Sequence, residues 1–282
     1  MKHKKQTKDI AIKLLLHTFF LLCCFIALLP ILYAFSVSLN SQNSLLDSNF
    51  SFFPKNFTLK NYIAIVKDQP VLLWLKNSVF LAITTLIISL SISIPAAYAF
   101  SRFRFRGRKV ILYLLLLLNA FPTILSMFAI YRLLQPLGLS SSKLGLIIVY
   151  TGTMAIFGLW NMKGYFDTIP QGMEEAAKID GANDVQITTK IVMPLAKPSI
   201  IVTSVMIFIY VWNEYIYATT FMTGADNYTL AVGLYSLQAT ETSGNWPVFA
   251  AASIVISIPV LILFLIAQKH MVSGLTVGGM KG

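Results

Sequence analysis

The chain has 282 residues, of which 56% are apolar and only 12% charged, and its formal net charge is +11. Soluble domains run nearer half apolar and a quarter charged, so this composition excludes an ordinary water-soluble fold and makes the bilayer the solvent. Cys23 and Cys24 are adjacent, too close for an ordinary disulfide, and His3, His17 and His270 stand singly without Cys or carboxylate at ligand spacing, so neither a disulfide framework nor a metal site is expected.

A spanning helix needs about 20 apolar residues to cross a hydrocarbon core about 30 Å thick. Six stretches qualify: 14–37, 77–100, 110–133, 144–162, 199–221 and 247–267. Four contain prolines, Pro30, Pro95, Pro122 and Pro259, which lipid-embedded helices tolerate and which suggest kinks. The first run follows a basic start but exceeds the apolar core of a secretory signal, so it reads as an uncleaved span. Lys and Arg concentrate in 1–13, 102–109, 163–197 and 268–282, on one side of an even number of spans. Both termini and the polar segment 167–197 are therefore expected in the cytoplasm. The positive charge is accounted for by topology and anionic lipid, with no nucleic-acid partner.

Segment 167–197 reads as two short helices in water. Pro170 suits a first helical turn, Glu174 and Glu175 fall at its positive end, and Asp180-Gly181 stops it, with Gly181 at positive φ. Ile169, Met173 and Ala176 or Ala177 form a narrow apolar stripe opposite the carboxylates. A second helix starts at Asn183 or Asp184 and runs to Met193, ended by Pro194. Counted from Lys163 to Lys197, five carboxylates against four lysines make the loop net −1, a poor match to anionic headgroups, which favours docking to a protein over lying on the membrane. The small Ala176-Ala177 pair permits close approach.

Glu214 is the only carboxylate inside an expected span. It lies 16 residues beyond Pro198, about 24 Å along a helix and so near the outer interface. Trp212, Asn213, Glu214 and Tyr215 are candidates for a sugar path or gate, and equally for an interfacial belt. Asn119 and Asn161 suit a wet cavity or contacts between helices. No phosphate-cradling Gly-x-x-x-x-Gly-Lys-Ser/Thr segment occurs, so no catalytic site is expected.

The order Glu175-Ala176-Ala177, Gly181 four residues on, then Ile191-Val192-Met193-Pro194 resembles the EAA loop of ABC importer permeases, with Met193 where that family has Leu. The ending from Gly274 to Gly282 and the run Thr229 to Gly233 resemble carbohydrate permeases of the MalG type. This resemblance implies an all-α polytopic membrane protein of six transmembrane helices with the type I ABC importer permease fold. Residues 1–13 would be a cytoplasmic tail, 14–267 the permease domain and 268–282 a second tail. The resemblance makes Glu174, Glu175, Ala176, Ala177, Gly181, Ile191 and Pro194 the ATPase-coupling residues. It has Gly274, Leu275, Thr276, Gly278 and Lys281 reach the ATPase from the tail. Implied partners are a second related permease, two copies of a cytoplasmic ATPase that bind the ATP and Mg, and an extracytoplasmic sugar-binding protein, all at a bacterial plasma membrane. Maltose, maltodextrin or a related oligosaccharide is the implied cargo, and this chain holds no cofactor. A permease for a non-sugar solute is the alternative. An ion-coupled transporter would want a midplane ionisable pair, and a membrane enzyme a reactive cluster, that the sequence lacks.

Overall fold

Long apolar runs with few charges dictate helices, because in lipid each backbone N–H and C=O must be satisfied within its own segment. The structure, a computed structural model, describes residues 2–41, 56–238 and 245–278. Those residues are helical almost throughout, with a single isolated antiparallel bridge between Asn40 and Phe57. Two compact units divide the chain, residues 1–69 with 234–257 and residues 70–233 with 258–282.

The first unit holds α1 (Lys2–Ser38), α2 (Lys60–Asp68) and the beginning of the last helix. Phe19, Phe20, Leu21 and Phe25 on α1 are all more than half exposed, as suits a helix facing lipid. The end of α1 is tied to α2, a helix that the span count did not foresee. Ser38 Oγ and Tyr62 Oη lie 2.7 Å apart, and Asn61 Nδ2 donates to the Ser38 and Asn40 carbonyls at 2.9 Å each.

The second unit contains α3 (Val71–Arg102), α4 (Arg108–Asn119), α5 (Thr123–Leu134), α6 (Lys143–Phe166) and α10 (Lys197–Asn213), with shorter helices between and after them. Small residues bring α3, α6 and α10 together, as they do where lipid supplies no hydrophobic drive between helices. A Cβ on Gly158 of α6 would lie 2.6 Å from Ser93 Oγ of α3 and 3.5 Å from Thr203 Cγ2 of α10. Asn161 Nδ2 donates to Thr203 Oγ1 at 2.7 Å, so Asn161 joins helices instead of facing a cavity.

The expected third span is not one helix. α4 and α5 meet at 99° across Ala120–Pro122, where Pro122 has no N–H to offer and disfavours helix in the residue before it. The fifth span is also interrupted, since α10 ends at Asn213, Glu214 is extended (φ −69°, ψ 126°) and α11 resumes at Ile216–Phe221. Among the described residues four helices are long and apolar enough to cross a membrane alone, and up to six spans result if two bent pairs, Arg108–Asn119 with Thr123–Leu137 and Asp184–Leu195 with Lys197–Asn213, each count as one. Pro30, Pro95 and Pro259 lie inside continuous helices. The last helix, α13 (Trp246–Gly278), carries its helical backbone through Gly274, Leu275, Thr276 and Gly278, beyond the boundary set at 268, while Lys281 lies outside the described residues.

Candidate coupling site and polar elbow

The polar segment after α6 folds as a helix, a turn and a second helical run. α7 (Gly172–Ile179) ends in a paired C-cap: Ala182 N–H bonds the Ala177 carbonyl at 2.9 Å and Gly181 N–H the Lys178 carbonyl at 3.0 Å. That closure needs a left-handed residue at Gly181, whose φ is +85°. Asn183 then caps α8 (Asp184–Ile187) in a reciprocal box, its side chain accepting from Gln186 N–H at 2.9 Å while Gln186 Oε1 accepts from Asn183 N–H at 3.0 Å. A π turn, Thr188–Val192, leads into α9 (Met193–Leu195). The run therefore does not stop at Pro194. Met193 N–H bonds Thr188, five residues back, and this wider turn relieves the collision between a proline ring and the carbonyl four residues before it.

One face of this segment is fixed to the membrane helices. Ile169, Ile187, Val192 and Ala196 join Ala97 and Tyr98 of α3 and Met162 and Phe166 of α6 in one buried cluster. Glu174, 5% exposed, sits on the same face and accepts from Arg102 Nε at 2.7 Å and Tyr98 Oη at 3.1 Å. Arg102 also donates to the Ile169 carbonyl at 3.1 Å, and Ser101 Oγ to Asp167 Oδ1 at 2.6 Å. Partial burial opposes charge on Asp167, but hydrogen bonds from Lys163 and Ser101 and the nearby charges of Lys163 and Arg108 outweigh it and hold the carboxyl below its usual range.

The opposite face is bare. Met173 is 47% exposed, Val185 71% and Ile179 87%, and Glu175, Ala176 and Pro194 are exposed beside them, with Ile191 half-buried. This corrects the expected stripe. Ile169 points inward, Met173 outward, and the two neighbouring glutamates part company, Glu174 as a tether and Glu175 on the free surface. Adjacent residues sit 100° apart around a helix, so sequence alone gives no way to choose between them.

At the α10–α11 break, Glu214 is 8% exposed and fully engaged. Its carboxylate accepts from Tyr150 Oη of α6, from Tyr217 N–H at 2.8 Å and from Ala218 N–H at 3.0 Å. Trp212, 2% exposed, stacks on Phe208 at 5.2 Å, whereas Asn213 is exposed and bonds the Ile209 carbonyl, and Tyr215 is half-buried. The four candidates thus do not share one surface. A groove of about 430 Å³ opens instead along the α4–α5 elbow, with Asn119, Thr123, Ser126, Thr153, Tyr210 and Tyr217 as its polar lining. Glu214→Ala is expected to leave the Tyr150 hydroxyl and two buried amides without an acceptor, at about 1–3 kcal/mol for each group that water does not reach. A lowered thermal midpoint in detergent checks this, and an unchanged one contradicts it.

A polytopic membrane helix array carrying a loop that is pinned on one face and free on the other fits a transport permease. The chain belongs to the family described as the binding-protein-dependent transport system inner membrane component, whose model matches residues 89–277. It is 38% identical over 269 residues to the galactooligosaccharides transport system permease protein GanQ of Bacillus subtilis (strain 168), covering 93% of this chain and 94% of that one. It is 37% identical over 287 aligned positions to the maltose/maltodextrin transport system permease protein MalG of Photorhabdus laumondii, covering 95% and 96%. Among solved structures, a bacterial ABC transporter involved in import of the acidic polysaccharide alginate superposes with TM-score 0.78 at 27% identity, over 93% of this chain and 97% of that chain. The MetNI methionine ABC transporter, at TM-score 0.58 and 16% identity over 77% and 99%, shares the fold alone. The chain therefore has the type I ABC importer permease fold.

Proposed function

We propose that this chain forms half of the translocation pathway of an ATP-driven sugar importer, its cargo an oligosaccharide of the maltodextrin type or a close relative. The observation that carries the reading is the 172–195 loop, whose turn is locked at Gly181 and whose outward face presents Glu175, Ala176 and Ile179. Among the relatives that match over nine-tenths of the chain, one is named for galactooligosaccharides and others for maltose or maltodextrin, which supports a sugar cargo. In this reading a cytoplasmic ATPase, two copies per transporter, docks on the outward face and supplies ATP and Mg. A second related permease completes the pathway, an extracytoplasmic binding protein delivers the sugar, and both termini lie in the cytoplasm of a bacterial cell.

The test is uptake by the reconstituted transporter of labelled galactooligosaccharide, maltodextrin and alginate oligosaccharide, with and without ATP. ATP-dependent uptake of one of them is expected. Uptake of none, with ATP-dependent uptake of a non-sugar solute, would overturn the reading.

A further inference from the structure

We infer that α3 is a strut clamped at both ends, through which the coupling loop moves the segment 225–230 at the opposite end of the helix, with Arg102 and Glu174 as the positioning pair at the loop end. This rests on the coupling role proposed above.

The loop is covalently joined to α6 and α10, and the joint to α10 is bent by 80° at Ala196. It has no covalent connection to α3, which continues through Phe103 towards α4. Movement nevertheless reaches α3 through specific contacts. Both oxygens of Glu174 are taken by the last turns of α3, Oε1 by Arg102 and Oε2 by Tyr98, and the side chains of the ion pair are 7% and 6% exposed. Arg102 also holds the Ile169 carbonyl and Ser101 holds Asp167, so α3 is fastened at three points between 167 and 174. A displaced α7 must therefore carry the end of α3 with it or expose a buried charge.

The other end of α3 is fastened as firmly. Trp74 Nε1 donates to the Ala225 carbonyl at 2.8 Å, and Asn77 Nδ2 to the Asp226 and Tyr228 carbonyls at 3.0 Å each. Ser78 Oγ accepts from Leu230 N–H at 2.8 Å. α3 carries both clamps on one helix that runs without a break, Pro95 included, for 32 residues from end to end, about 48 Å at the usual rise. One helix thus bonds the coupling loop at one end and, at the other, a segment on the far side of the membrane, and it links them independently of the groove.

Charge reversal in the assembled transporter tests this. Glu174→Arg and Arg102→Glu should each keep ATP hydrolysis yet lower sugar uptake about tenfold, within the usual range of coupling between sites. The double reversal should recover most of it. The milder Glu174→Gln, which keeps the shape of the side chain, covers the case in which reversal blocks insertion. In the native transporter, trapping with ATP and vanadate should change amide exchange across 225–230, and in Glu174→Gln it should not. Equal exchange changes in both proteins, normal uptake in the single reversals, or a double reversal no better than the singles would overturn the strut. Failure of the native chain to couple uptake to ATP at all would instead count against the proposed function.

Discussion

Gly181→Val is expected to lower uptake at least tenfold while the chain still inserts in the membrane. A Cβ at this position meets nothing within 4 Å, so space is not the obstacle. The obstacle is the backbone, because φ is +85° there and an L residue in the left-handed region costs about 1–2 kcal/mol, more when branched at Cβ. Relaxing that strain releases the Ala182-to-Ala177 and Gly181-to-Lys178 bonds that aim α8 relative to α7. A bias of about 1.4 kcal/mol against the docked geometry is a tenfold loss of it. Gly181→Asn, which tolerates positive φ, should stay near the native level. Uptake, ATP hydrolysis and protein level in the membrane measure the effect, and native uptake by the Val variant contradicts it.

Gly233→Ala is expected to lower the amount and thermal stability of the folded chain. Here space is the obstacle. A Cβ would stand 2.1 Å from Trp74 Cε3 and within 2.5 Å of two more ring atoms. Trp74 has no room to retreat, being 2% exposed and held by its Nε1 bond to Ala225. Overpacking of this kind costs about 1–3 kcal/mol, and the rigid indole puts this site at the upper end. The midpoint of thermal unfolding in detergent should fall. An unchanged midpoint and yield would show that the close approach of α12 (Leu230–Ser236) to α3 is not fixed as described.

Much of this architecture could be read from the sequence because local chemistry determines it. Apolar run lengths located the spans, Asn183 or Asp184 marked a helix start, and Gly181 after Asp180 marked a turn. Features that depend on distant residues escaped. The 99° elbow at Pro122 looks the same in sequence as the continuous helices through Pro30, Pro95 and Pro259. Glu214 reads as an interfacial carboxylate until Tyr150, 64 residues away, is brought against it. The inward turn of Glu174 depends on Arg102, 72 residues earlier, which the charge count had assigned to topology alone. For both carboxylates the missing fact was a partner.

The central claim is that the face bearing Ile179 receives an ATPase, and a cross-link measures this most directly. With Cys23 and Cys24 replaced by Ser, one cysteine at Ile179 is compared with one at Tyr113, which is 66% exposed on the apolar helix α4. A short bifunctional thiol reagent applied to native membranes, followed by mass spectrometry, identifies what each site joins. The account predicts that Ile179→Cys links to a chain carrying a nucleotide-binding Gly-x-x-x-x-Gly-Lys-Ser/Thr loop, that the yield changes when ATP is trapped, and that Tyr113→Cys does not form this link. Absence of such a chain at Ile179, or equal capture at both sites, would contradict it.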